Sequence, residues 1–99
     1  MILTTTNSIE GHHIIDYLGI VTGVAMNKKA LGMGFSMSKY FKAVGDSIDM
    51  VKEEAFQKLK ANATKLKANA VVGINVEIEL TSQNYAMVSI TGTAVKVSV

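Results

Sequence analysis

Between Ser47 and Leu80 the apolar positions of the chain change period. Ile48, Val51, Ala55, Leu59, Ala63 and Leu66 recur every three or four residues, the spacing that lines up side chains on one face of a helix. Met50 and Phe56 widen that face. Asp46 and Ser47 are candidate N-caps, Asp49, Glu53 and Glu54 follow in the early turns, and Lys58, Lys60, Lys65 and Lys67 crowd the later half. This order suits the helix dipole. The spacing predicts a helix over Ile48–Leu66, with Asn69 as a left-handed stop. Beyond it the period is two. Val72, Ile74, Val76, Ile78 and Leu80 alternate with Gly73, Asn75, Glu77 and Glu79, which predicts a strand over Ala70–Leu80 with one oily and one wet face. Sheets of that kind are usually antiparallel.

The flanking segments supply the remaining elements. Ile2–Thr6 is a short β-prone run, closed by a turn over Asn7–Gly11. His13–Met26 is a long strand pattern, apolar on both sides and so expected to be covered on both faces. Gly19 and Gly23 within it mark bends, bulges or close backbone approach. These first two strands are expected to pair as an antiparallel hairpin. A further helix is predicted over Ala30–Val44 from Met33, Met37, Tyr40, Phe41 and Val44, although Gly32 and Gly34, at about 1 kcal/mol each, delay its start toward Phe35 or Ser36. Gly45 is expected to separate the two helices. Tyr85–Val99 is the last strand. Its apolar set switches from Ala86, Val88 and Ile90 to Val95, Val97 and Val99. A bulge at Gly92–Thr93 would produce that slip. The alternative is that the far end of the strand leaves its own sheet and packs against a neighbouring subunit, and the change of face leaves the terminal valines in need of cover. The expected fold is α+β, ββααββ, a single domain over residues 1–99 with a mostly antiparallel sheet and both helices on one side.

Composition narrows the setting. The 99 residues are 48% apolar and only 18% charged. So small a surface with so little charge suggests that some apolar residues are buried between subunits. No cysteine is present, which excludes disulfides and thiolate metal sites and leaves the redox compartment unread. Thr4, Thr5 and Thr6 interrupt any signal-peptide pattern, and no apolar run approaches the roughly 20 residues of a membrane span. A cytoplasmic protein that binds no membrane is expected. All ten basic residues are lysines and the net charge is +2. Without arginine forks to read bases, nucleic acid is not an expected partner.

Candidate chemistry is sparse. Glu10, His12, His13 and Asp16 carry imidazole and carboxylate donors suited to zinc, copper or nickel. Adjacent histidines on a strand point to opposite faces, so a ring of subunits contributing one histidine each would be needed. Two surface histidines at a strand entrance is the plainer reading and the heavier one. Methionines stand at positions 1, 26, 33, 37, 50 and 87. Met33 and Met37 are spaced like thioether ligands, but core packing accounts for such residues more simply. Gly32-x-Gly34 lacks the third glycine and the strand context of a phosphate loop. Lys28, Lys29, Lys39 and Lys42 stand in a stretch free of acid, either a solvated helix face or an anion-binding surface. Glu77 and Glu79 share a strand face but lack a partner for acid–base catalysis. The residues argue for catalysis less than against it.

Several segments carry a resemblance. Thr4-Thr5-Thr6, Ser8-Ile9, Gly11, Leu18-Gly19-Ile20-Val21 and Gly23 resemble the opening of the YbjQ-like family. Glu53-Glu54-Ala55, Leu59, Ala63 and Leu66 leading into Ala68-Asn69-Ala70-Val71-Val72-Gly73 are similar to its centre, and Gly92-Thr93-Ala94-Val95 to its end. The family's role is uncharacterised, and it is often labelled heavy-metal-binding. The resemblance implies dodecin-like subunits in a ring, typically a homopentamer, and it carries over no catalytic residue. Where the family usually has glycine this chain has Lys67, which points to a helix end there with a lysine in a left-handed turn. Asn75 stands where a basic residue often follows the Val-Val-Gly run. The functional expectation is an oligomer binding a divalent metal ion or small ligand where subunits meet, with Glu10, His12 and His13 as candidate ligands. The alternatives are a structural or partner-binding oligomer without a ligand, and an enzyme whose site is shared between subunits.

Overall fold

The structure, a computed structural model, describes residues 1–27, 37–80 and 85–98. Its elements are β1 (Ile2–Leu3), β2 (Ile14–Met26), α1 (Met37–Lys65), β3 (Ala70–Leu80) and β4 (Ala86–Val97). The sheet order is β1-β3-β4-β2. The β2–β4 and β3–β4 pairs are antiparallel and the short β1–β3 pair is parallel. The sheet is therefore mostly antiparallel, as expected, and α1 packs on one face of it.

Two expectations about connectivity fail. β1 and β2 form no hairpin, because β1 pairs with β3 at Ala70 and Val71. The chain between β1 and β2 instead crosses the face opposite α1, where Ile9 packs on Ala70, Val72, Val95 and Val97. Covering those four side chains engages the segment that a tight hairpin would have used as a turn. The second failure is the helix break. α1 is continuous for 29 residues through Gly45, so Asp46 and Ser47 lie inside it and do not cap it. Gly45 is exposed, and nothing stands within 4 Å of where its Cβ would be. The cost of about 1 kcal/mol for glycine in a helix is smaller than that of breaking the hydrogen-bond ladder and capping two new ends. Residues 30–36 of the expected first helix lie outside the described residues.

The centre of the helical stripe is where the spacing put it, but Met50 and Leu66, expected on the same face, are exposed. Val51, Ala55, Leu59 and Ala63 are buried against Val21 and Ala25 of β2 and Val88, Ile90 and Ala94 of β4. Gly23 sets the approach, since a Cβ there would overlap the Ala55 carbonyl oxygen and stand 2.8 Å from the Leu59 amide nitrogen. The helix ends one residue earlier than the pattern suggested. Lys67 takes φ +65°, the Lys67 amide donates to the Thr64 carbonyl and the Ala68 amide to the Ala63 carbonyl. These are the two bonds of a Schellman end. Asn69 is not the stop. Its side chain donates to the Val97 carbonyl (2.9 Å) and accepts from the Val97 amide (2.8 Å), acting as a strand partner for the end of β4.

The phase change in β4 has a different cause from the one expected. The register does shift opposite Gly92, but the extra residue is in β3, where Gly73 and Ile74 lie between the Val72–Thr93 and Asn75–Thr91 pairs. Gly73 carries that bulge at φ +62°, a conformation that favours glycine. In β4 itself Ala94 and Val95 are both fully buried, because α1 covers one face and the N-terminal segment the other. Val95 and Val97 thus find cover from Ile9 and Ile14 of their own chain. Their exposure was the sequence argument for a neighbouring subunit, and for these two residues it does not hold. Val99 lies outside the described residues.

Nor is β2 covered on both faces. Val21, Gly23 and Ala25 are buried under α1, while Ile20, Thr22, Val24 and Met26 are exposed. Register shifts between Ile14 and Asp16 and between Tyr17 and Gly19 turn Leu18 onto the α1 side, where it packs with that core.

Candidate functional site

At the start of β2, His12 is half-buried and His13 exposed. The His12 Nδ1 lies 2.5 Å from the Ser98 carbonyl oxygen. A carbonyl only accepts, so Nδ1 is the donor, and the neutral ring keeps its lone pair on Nε2. The amide of His13 donates to the Ser98 hydroxyl, and the Ser98 amide to the His13 carbonyl. These bonds lace the beginning of β2 to the end of β4. A histidine held through Nδ1 by a backbone carbonyl is arranged as metal-ligating histidines usually are. It does not stand among other donors in its own chain. Among the described residues no three His, Cys, Asp or Glu side chains come close enough together to hold a metal ion, so Glu10, His12, His13 and Asp16 form no centre by themselves.

Glu10 lines a shallow hollow of about 660 Å³ with Ile2, Leu3, Thr4, Thr6, Ser8 and Ile9. The Thr4 and Thr6 hydroxyls are hydrogen-bonded at 2.8 Å, and Thr6 Oγ1 donates to the Ser8 carbonyl at 2.6 Å. Glu77 and Glu79 are exposed on β3, with Asn75 Nδ2 donating to Glu77 at 3.5 Å. Lys42 is exposed on α1. Lys28, Lys29, Gly32, Met33 and Gly34 lie outside the described residues, as do the side chains of Met37 and Lys39.

A second groove, which the sequence pattern did not indicate, lies between the end of β2 and the first half of α1. It measures about 480 Å³ and is lined by Met26, Asn27, Ser47, Met50, Val51 and Glu54. The two methionines are 44% and 74% exposed, so they are not the core packing expected of them. Glu54 is ion-paired with Lys58 at 3.7 Å, four residues on, and the Lys58 ammonium also donates to the Val24 carbonyl at 3.0 Å.

The chain further leaves large apolar side chains uncovered at both sides of the sheet. Tyr17 (69%) and Ile20 (82%) stand on β2, and Ile78 and Leu80 on β3. No described helix is long and apolar enough to cross a membrane.

With the geometry in place, comparison with known proteins decides the family. The sequence profile of the YbjQ family, described as "Putative heavy-metal-binding", matches residues 1–98. This chain belongs to that family. A UPF0145 protein of Clostridium kluyveri is 38% identical over 107 aligned residues, covering 98% of this chain and 99% of the relative. A UPF0145 protein of Bacillus cereus is 34% identical over 109, covering 98% and 100%. The fold recurs in the crystal structure of a DUF74-family protein of unknown function from Pediococcus pentosaceus, with a TM-score of 0.72 at 20% identity over 99% of this chain and 98% of that one.

Proposed function

We propose that the protein is a non-enzymatic subunit of a homo-oligomeric ring that holds a divalent metal ion where copies meet. The observation that carries the assembly is the apolar surface one chain leaves open at Tyr17, Ile20, Ile78 and Leu80. Exposed apolar side chains of that kind mark interfaces, here in two separate places, on β2 and at the end of β3. Five copies is the size that the family resemblance favours. The metal reading draws on the family's heavy-metal-binding description and on the donor chemistry of this chain. One chain does not gather three His, Cys, Asp or Glu donors among its described residues, so symmetry has to supply the others. His12, with its tautomer set by Ser98, is the donor best prepared for that role, and Glu10 and His13 are its neighbours in sequence.

Calorimetric titration of zinc into the assembled protein tests the metal reading. Replacing His12 and His13 together by alanine is expected to abolish binding. Undiminished binding in that variant would contradict the site, and no binding by the unaltered protein would favour an assembly without an ion.

A further inference from the structure

The heavy-metal description sits poorly with a chain that has no cysteine and gathers no three His, Asp or Glu donors among its described residues. The soft donors that remain are thioethers, and two of them line one groove. We propose that Met26 and Met50 bind a soft monovalent d¹⁰ cation, of the copper(I) or silver(I) class, in the groove between the end of β2 and α1.

Methionine is an apolar side chain whose usual use is to fill core gaps, and leaving it in water forfeits that burial. Met50 is nevertheless 74% exposed and Met26 44%, and both border the same cavity of about 480 Å³. The floor is apolar, since Val51 is only 4% exposed. The other lining groups are the Asn27 amide, the Ser47 hydroxyl and the Glu54 carboxylate. Among the described residues no lysine lines the groove. Lys58 is drawn to Glu54 and to the Val24 carbonyl at its border. Thioether sulfur binds soft cations in preference to hard ones, and the Glu54 carboxylate, shared with Lys58 at 3.7 Å, stands beside them. Thioethers do not titrate, so this site keeps its affinity at mildly acidic pH, where imidazole ligands are lost to protonation. It lies within one chain and stands whether or not copies assemble.

The test is a titration of silver(I) in chloride-free buffer at pH 5 and pH 7, followed through the methionine methyl resonances by carbon–proton NMR. The Met26 and Met50 methyl signals are expected to shift together at both pH values, while those of Met1 and Met87 stay in place. The double variant M26L/M50L keeps side-chain volume and should fold with an unchanged circular dichroism spectrum. It is expected to lose the silver-dependent rise in melting temperature. The variant H12A/H13A is expected to keep it, which separates this site from the zinc reading above. Silver binding that survives in M26L/M50L, disappears in H12A/H13A, or leaves the Met26 and Met50 methyls unmoved would overturn the proposal.

Discussion

Lys67 ends α1 on a left-handed backbone, at φ +65°. For an L-residue other than glycine this conformation costs about 1–2 kcal/mol. It persists because the Ala68 and Lys67 amides close the helix onto Ala63 and Thr64, and because β3 must begin only three residues later. A lysine near a helix C-terminus recovers about 0.3–1 kcal/mol from the dipole. Strain exceeds that gain. Lys67→Gly is therefore expected to raise the free energy of unfolding by about 0.5–1 kcal/mol, read as a higher midpoint in urea. A lower midpoint would mean that the lysine side chain stabilises the turn more than its backbone strains it. The same residue shows what single positions disclose. That a lysine would sit in a left-handed turn followed from the family resemblance, whereas the residue pattern alone pointed to Asn69. That Asn69 would pair with Val97, or His12 with Ser98 across 86 positions, was not legible from the sequence, because hydrogen bonds between distant segments leave no local trace.

At the scale of elements, α1 is one helix, and Gly45 lies exposed within it. Gly45→Ala is expected to stabilise the protein by about 1 kcal/mol, measured by thermal or urea unfolding. A break at this position would give no gain, since glycine is the residue a left-handed stop prefers. The bounds of β3 and the buried stripe of α1 followed from their periods, because period reports which face is covered. It does not report which strand lies alongside. The parallel β1–β3 pair joins Ile2 to Ala70 across most of the chain, so an adjacent-strand hairpin was the natural inference and failed. In β4 the period did change where the sequence changed, but through a change of cover from α1 to the N-terminal segment. Grooves are harder still to read. Whether Met50 fills a core or borders a cavity depends on how α1 is rotated over β2, and that angle is fixed by the contact of Gly23 with Ala55 and Leu59. The sheet edges are treated unequally. On β2 the Thr22 and Val24 carbonyls accept from Asn62 and Lys58 of α1, which blunts that strand against pairing. Along β3 the partner beyond Ile74 is β4 alone among the described residues.

The whole molecule is long and thin, 53 × 23 × 17 Å, with a radius of gyration of 16.2 Å where a compact chain of this length has about 13 Å. Its accessible surface is 6484 Å², about 1,000 Å² more than the roughly 5,500 Å² usual for a monomer of this mass. That excess is comparable to the roughly 800 Å² each partner contributes to a stable interface. Large exposed apolar side chains stand along β2 and at the end of β3, whereas the sequence pattern points to the terminal valines. The case for assembly thus survives on a different surface from the one first indicated. Static light scattering on the purified protein at micromolar concentration tests it most directly. A mass several times the 10.6 kDa of one chain is the predicted result, and a stable particle of 10.6 kDa would contradict it.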